Sequence, residues 1–395
     1  MILNRGYSFR LYATEDQERT FAQWTGVCRA VYNAALFQRE HFSRKGRFVG
    51  FHENAADLKL LRREFDWIGS VSQTAEINAI RDLDIAFKNF FSGRCGFPKP
   101  RRKFRDESFR IEARECPVRR LNASWGEVRL PKIGWIRFRQ SREFPNGADF
   151  RTVTVIKIGI HWHASFAVRF KVNSEPNLKP AIGVDRGVAN SIALSTGELA
   201  SVPIERLRIF DRRNRKAQQE AARRKRGSKR YAKSRRRAAA CKSKAARIRK
   251  HWNHQATTAL VSRFGVVCIE DLKTSNMTAS ARGTVEEPGR NVRQKAGLNR
   301  SILEHGWYQF ETFLTYKLAA SGGTLVKVNP RNTSRTCPIC GSIDARNREN
   351  QAHFRCIECG HEAHADVNAA INILRAGTRP SERAKVRCRE SRIAA

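Results

Sequence analysis

Two Cys-x-x-Cys pairs, Cys337-Pro-Ile-Cys340 and Cys356-Ile-Glu-Cys359, stand fifteen residues apart, and a glycine follows each at once, Gly341 and Gly360. Four thiolates at this spacing complete a tetrahedral zinc site and leave no open position for water or substrate, so the spacing predicts a structural zinc ribbon over 337–360. His353, His361 and His364 lie nearby and could replace a ligand, but four cysteines suffice. The other cysteines, Cys28, Cys95, Cys116, Cys241, Cys268 and Cys388, are scattered. That pattern fits a reducing compartment and one metal site rather than a disulfide framework.

The 395 residues allow two or three domains with a substantial core, and 41% hydrophobic content is that of a globular chain. Lysine and arginine number 76 against 37 acids, a formal charge of +39. Such an excess calls for a polyanionic partner, and nucleic acid is the obvious one. A membrane surface is the rival, but no stretch approaches the roughly 20 apolar residues of a spanning helix, and Met1 to Arg10 lacks the apolar core of a signal peptide. The expectation is a soluble, intracellular protein, cytoplasmic and associated with the nucleoid.

Tyr7, Phe9 and Leu11 alternate with polar residues as in a half-buried strand, and Thr14 with Gln17 has the spacing of a capping box. Trp24, Val27, Cys28, Val31 and Ala35 then recur at helical spacing, as do Ile77, Ile80, Leu83, Phe87 and Phe90. Residues 15–110 therefore read as a helical module. After Gly93, Gly96, Pro98 and Pro100 come short alternating runs: Ile136 and Phe138; Ile156, Ile158 and Ile160; Phe166, Val168 and Phe170. With 1–14 they predict a β-barrel over 1–14 and 111–178, the helical module inserted into it. His161 and His163, flanking Trp162, read as surface positions of a strand rather than metal ligands.

From Arg212 to Lys250, 19 of 39 residues are basic and only Glu220 opposes them. Nine alanines favour helix, and Gly227-Ser228 marks a turn between two basic helices, an insertion over 205–255. A solvated face normally mixes charge signs, so this one-sided block points to phosphate contact.

Three acids complete the reading. Asp185 ends the apolar run from Ala181, Glu270 and Asp271 end the run from Val266, and Asp366 opens a helical run to Leu374. Each has an ordinary explanation: turn residue, strand-end solvation, helix cap. Together, acids on two strands and a helix are what a two-metal nuclease needs, since two divalent ions require oxygen ligands from several elements. Mg²⁺ suits carboxylates and phosphate far better than thiols, so the two metals should keep separate sites.

The chain resembles the TnpB family, whose relatives include the compact type V CRISPR effectors. The matching stretches are Arg29-Ala-Val-Tyr-Asn-Ala-Ala-Leu36, Gly96-Phe-Pro98, Gly183-Val-Asp-Arg-Gly187, Glu270-Asp-Leu272 with Asn276-Met277, Gly297-Leu-Asn-Arg-Ser-Ile302, Val328 to Ser334, the ribbon, and Ala365-Asp-Val-Asn-Ala-Ala370. They span nearly the whole length in order. Many relatives have arginine where this chain has Ala365. The resemblance implies an RNA-guided DNA endonuclease that binds a transposon-derived guide RNA and cuts target double-stranded DNA beside a short motif.

It also implies an α+β multidomain fold with an RNase H-like (RuvC) α/β nuclease domain, 179–336 closed by a helix over 361–376, and a four-cysteine zinc ribbon inserted in it. The β-rich unit would be a wedge barrel, the helices a recognition insertion, and the residues from 377 a basic, poorly ordered tail. Asp185, Glu270 and Asp366 would hold catalytic Mg²⁺; Cys337, Cys340, Cys356 and Cys359 would hold zinc. Asp271 is the weaker partner, because adjacent strand residues face opposite ways. The protein would act as a monomer in its ribonucleoprotein. The rival readings are an RNA-guided repressor that no longer cuts, a conventional transposase working without RNA, and a zinc-ribbon DNA-binding module with no enzymatic role.

Overall fold

The computed structural model describes residues 2–172, 175–284 and 286–379, and the chain divides into two compact units, up to Val172 and from Asn173 on. The boundary thus falls before the expected 178/179. The basic tail lies almost wholly outside the described residues.

Unit 1 opens with β1 (Ile2–Tyr12) and continues into α1 (Glu15–Ser43), α2 (Phe51–Glu64), α3 (Asp66–Gly69) and α4 (Gln73–Phe91). The capping box forms: Thr14 Oγ1 accepts from the Gln17 amide at 3.3 Å while Gln17 Oε1 accepts from the Thr14 amide at 3.1 Å. The helical module ends earlier than 110, because β2 (Ser108–Glu112) already pairs with β6 (Asp149–Ile158). β3 (Val118–Arg120), β4 (Trp125–Leu130), β5 (Gly134–Arg139) and β7 (His161–Lys171) complete a seven-stranded sheet in the order β2-β6-β7-β1-β5-β4-β3.

That order corrects the closed barrel: among the described residues β2 and β3 remain edges. β1 pairs with β7 over residues 2–10 and with β5 only at Leu11 and Tyr12, so the two halves share one strand. Both halves and the helices bury one continuous core, including Phe9, Phe21, Trp24, Leu36, Phe138 and Phe166. On β6 the inward residues are Val153 and Val155 rather than the isoleucines, and Ile160 sits in the turn to β7. Two branched runs of opposite phase compete there, and pairing with β2 and β7 selects one.

Unit 2 begins with β8 (Ala181–Asp185), β9 (Ile192–Leu194) and β10 (Leu199–Ala200), an antiparallel meander. The basic helices α5 (Ile204–Ala222) and α6 (Lys229–Arg263) follow, with Gly227 at φ +85° in the turn and Ser228 capping α6. The hairpin therefore runs on to Arg263, past the expected end at 255. β11 (Val266–Glu270), α7 (Thr274–Met277), α8 (Val292–His305), α9 (Trp307–Ala320) and β12 (Thr324–Val328) lead to the ribbon strands β13 (His353–Arg355) and β14 (Glu362–His364), then α10 (Ala365–Thr378). Residues 361–364, expected in the last helix, instead carry β14, which pairs with β13 and closes the ribbon hairpin. The main sheet runs β10-β9-β8-β11-β12, with β8, β11 and β12 parallel.

Apolar side chains cover both faces of the three parallel strands, as such a sheet requires. Ile182, Val184, Val267 and Ile269 pack beneath Phe310, Leu314 and Leu318 of α9. Cys268, Val326 and Val328 pack with Ile373 of α10 on the opposite side.

Candidate functional site

β8 and β11 lie side by side in register, Val184 opposite Ile269, so Asp185 and Glu270 terminate adjacent parallel strands in step and project from the same face. Asp271, one residue on, turns the other way and meets Lys327 at 3.8 Å. Helix α10 supplies the third acid by lying almost in contact with the sheet backbone. A Cβ on Gly183 would collide with the Ala370 carbonyl and stand 2.7 Å from the Leu374 amide; one on Gly377 would stand 2.8 Å from Cys268 Cβ.

Asp366 is not the helix cap. His364 holds that position, its Nδ1 accepting from the Asp366 amide at 3.2 Å, which leaves the Asp366 carboxylate for other partners. Its Oδ2 accepts from Asn190 Nδ2 at 3.1 Å, and its Oδ1 lies 3.5 Å from the Arg348 guanidinium. On Glu270, Oε1 accepts from the Thr333 hydroxyl and the main-chain carbonyl accepts from Arg186. Arg186 is itself buried and pairs with Glu311 at 3.2 Å.

The electrostatics show that the three acids share one field. Burial, then Glu270, then Asp366 push the Asp185 carboxyl up to about 7, with Arg348 opposing. Burial likewise raises Glu270, against the Thr333 hydrogen bond and the charges of Arg186 and Arg348. Such a cluster is short of positive charge, and oxygen-only donors suit a hard divalent cation. Among the described residues, the carboxylate oxygens do not all fall within 4.8 Å of one another as the four thiols do. One ion would draw its ligands that close; two ions about 4 Å apart would spread them.

The loop between β8 and β9 is held from behind by a buried pair. Ser191 Oγ accepts from the Val202 amide at 2.9 Å and lies 2.6 Å from His305 Nδ1. The ring donates an N–H to the Val188 backbone, so in the neutral imidazole Nδ1 accepts from the Ser191 hydroxyl. Burial lowers the His305 pKa, so the imidazole stays neutral and grips the loop at two points.

At the ribbon, Sγ of Cys337 and Cys359 are 3.6 Å apart and those of Cys340 and Cys356 are 3.5 Å apart. Sulfurs at the corners of a tetrahedron with bonds of about 2.3 Å stand roughly 3.8 Å apart, so the thiols fit zinc. Two of the three nearby histidines are otherwise engaged: His353 faces Glu349 and Glu362, and His364 is the cap. His161 and His163 belong to no candidate metal group among the described residues.

On the hairpin, Ala217, Ala221, Ser234, Ala238 and Ala245 are buried, and small residues there let α5 and α6 pack closely while arginines and lysines point outward. Asn190, Thr333, Arg186, Arg348 and His305 were not singled out from the sequence. Arg186 and Thr333 lie in stretches that carried the family resemblance, but nothing local marks any of them.

Three family models match: "Helix-turn-helix domain" over 1–46, "Probable transposase" over 165–281, and "Cas12f1-like, TNB domain" over 307–373. The first range holds a strand and one long helix, β1 and α1. InsQ of Escherichia coli (strain K12), whose name carries a provisional assignment as an RNA-guided DNA endonuclease, is 34% identical over 377 residues, covering 94% of this chain and 92% of that one. A relative in Streptomyces pristinaespiralis with a similarly provisional name is 30% identical, covering 95% and 90%. Among solved structures, the protein of a Cas12f1-sgRNA-target DNA complex has the same fold at 14% identity, with a TM-score of 0.59 over 96% of this chain and 99% of that one. No helix among the described residues is long and apolar enough to cross a membrane. With two relatives matched over nine-tenths of their length at this identity, the chain belongs to the TnpB family.

Proposed function

We infer that the activity carried in the relatives' names is this chain's own, and we place it at Asp185, Glu270 and Asp366. The protein is an RNA-guided DNA endonuclease. The observation that carries the placement is geometric: Asp185 and Glu270, 85 residues apart, end adjacent parallel strands in step, and the close approach of α10 to Gly183 brings Asp366 to the same face. The sheet order, an antiparallel meander followed by two parallel strands, supports an RNase H-like (RuvC) nuclease domain. The sheet and helices of unit 1 correspond to the wedge and recognition modules of this reading.

Asp185, Glu270 and Asp366 would hold Mg²⁺, which when bound stabilises the attacking and leaving oxygens of a phosphodiester. The chain's own residues prepare that site. Asn190 and Arg348 set the rotamer of Asp366, Thr333 fixes Glu270, and Arg186 ties the end of β11 to α9 through Glu311. Arg348 also offers a guanidinium beside the carboxylates, where a DNA phosphate must arrive. The four cysteines hold zinc in a purely structural role. The outward charge of α5 and α6 suits the phosphates of an RNA or an RNA–DNA heteroduplex, read by backbone rather than by sequence.

The test is to purify the protein from cells carrying its own locus, sequence the bound RNA, and compare wild type with Asp185→Ala. The variant should retain RNA and target binding and lose cutting. Cleavage at the wild-type rate would remove Asp185 from the chemistry. The "Probable transposase" description of one matching model keeps a conventional transposase as the second reading. Strand transfer surviving RNase treatment would favour it.

A further inference from the structure

We propose that Asn372 is a positioning residue for cleavage: by fixing the main chain of Thr333 it sets Glu270, so that one helix, α10, places two of the three acids. The proposal rests on the placement of the metal site at Asp185, Glu270 and Asp366, and goes beyond it by naming what keeps Glu270 in step with Asp366.

Helix α10 buries two stripes on nearly opposite faces, since a helix turns about 100° per residue. Asp366, Ala370, Ile373 and Gly377 recur at helical spacing on the side that meets β8, β11 and the loop after β8. Asn368, Asn372 and Arg375 recur in the same way about half a turn round, and there the helix meets the segment from Thr333 to Pro338. That segment runs in turns, so its carbonyls depend on side chains for donors. Asn368 Nδ2 donates to the Thr336 carbonyl at 3.1 Å. Asn372 Nδ2 donates to the Thr333 carbonyl at 2.9 Å and to the Thr336 carbonyl at 2.7 Å. The Arg375 guanidinium donates to the Pro338 carbonyl. Three side chains therefore strap an irregular segment to one helix face.

Holding such a segment is ordinary work for buried amides, and by itself it would call for nothing more. Two observations point further. The carbonyl that Asn372 grips belongs to the residue whose hydroxyl donates to Glu270 Oε1, so Thr333 alone separates the helix from the acid. The stripe is also kept at a cost. Asn368 is fully buried, and among the described residues its Oδ1 has no hydrogen-bond partner, which is destabilising. Apolar packing would hold the segment without that penalty, but it is non-directional. Hydrogen bonds of fixed length and angle instead set the position of Thr333 along the helix axis, and with it the reach of its hydroxyl. A freed Thr333 could abandon Glu270, because the Pro330 carbonyl offers the same hydroxyl a second acceptor at 3.2 Å.

The test is a double-mutant cycle on the full chain carrying its guide RNA. Asn372→Leu, similar in shape but without donors, should weaken Mg²⁺ binding by calorimetry about tenfold or more and lower kcat to match, with the KM for target DNA unchanged. Thr333→Val leaves every main-chain bond of the segment in place and should lose about as much, while Thr333→Ser, which keeps the hydroxyl, should bind Mg²⁺ within about threefold of wild type. In the Thr333→Val background Asn372→Leu should cost less than about twofold more, because its effect passes through that hydroxyl. If the leucine is not accommodated, Asn372→Ala serves in the same cycle and is read in the same way. Losses that multiply, as general loosening or zinc loss would produce, would overturn the proposal, and so would unchanged Mg²⁺ affinity in either single variant. Cleavage by Asp185→Ala at the wild-type rate would sink the placement of the site and this inference with it. An inactive Asp185→Ala beside multiplying losses would sink only the role of Asn372.

Discussion

The Ala370 carbonyl of α10 occupies the space where any side chain on Gly183 would have to begin. That contact sets how near the helix lies to β8, and hence how near Asp366 lies to Asp185. Gly183→Ala must push α10 away, since the new Cβ would also sit 2.7 Å from the Leu374 amide, where contacts of about 3.5 Å are needed. Displacement on the order of an ångström at a reacting centre costs about a hundredfold in rate. Single-turnover cleavage should fall by that much while RNA binding is kept. Gly297→Ala, on the exposed side of α8 with no neighbour within 4 Å, is the control and should cut normally. Equal rates for the two variants would mean that the approach of α10 does not set the site.

The pH dependence of stability follows from Asp185. Its folded pKa of about 7 lies above the ordinary 3.8, so between those values the folded state binds more protons than the unfolded one. Stability without divalent metal should therefore fall as pH rises through that window and level off above about 7, a loss of at most on the order of 4 kcal/mol. Glu76, buried against Arg62 in unit 1 and also raised to about 7, adds a loss of the same sign. The difference between wild type and Asp185→Asn isolates the site. The variant should melt higher than wild type at about pH 8 and equally at about pH 4, and millimolar Mg²⁺ should raise the wild-type melt at the higher pH more than the variant's. A variant no more stable above neutral pH would show that Asp185 carries no such strain.

Asp185 and Glu270 were legible because charge at the end of a run such as Val266 to Ile269 is out of place without a compensating partner. Asp366 was harder to read, since an acid opening a helix ordinarily caps it; only the structure shows that His364 caps instead. What surrounds the acids was not legible at all. Asn190 reaches Asp366 across 176 residues, Thr333 reaches Glu270 across 63, and Arg348 meets Asp366 across 18 by way of the ribbon. No local periodicity encodes such meetings. The open edge of the unit 1 sheet was hidden for a similar reason: alternation marks strands but not whether the last pairs with the first.

His305 has a separate consequence. It grips the loop that carries Asn190, and it precedes Gly306, where a Cβ would meet Arg249 Cδ at 3.0 Å and Asn253 Nδ2 at 3.1 Å on the basic helix α6. His305 is thus a positioning residue between α6 and Asp366. His305→Ala should lower kcat about tenfold and weaken Mg²⁺ binding measured by calorimetry, with the KM for target DNA little changed. His305→Asn, which can still accept from Ser191, should recover part of both. Unchanged Mg²⁺ affinity in the alanine variant would leave the histidine with a packing role only.

The ribbon and the carboxylates are joined through Arg348. It stands between the two cysteine pairs and bridges to Phe354, whose buried ring packs with Cys337, Cys356 and Ala365, the first residue of α10. The Ala365 amide donates to the Ala352 carbonyl at 2.8 Å, so the ribbon fixes the start of the helix as well as the arginine beside it. Cys356→Ser should lose the single zinc expected in each chain, counted by elemental analysis, and abolish cutting while RNA binding is kept. Arg348→Ala, with zinc intact, should cut about a hundredfold more slowly, and Arg348→Lys should fall between, because an ammonium restores the charge but not the planar fork. If the zinc-free variant cut at full rate, the ribbon would not position Asp366, and the slow cleavage of Arg348→Ala would have to come from its charge alone.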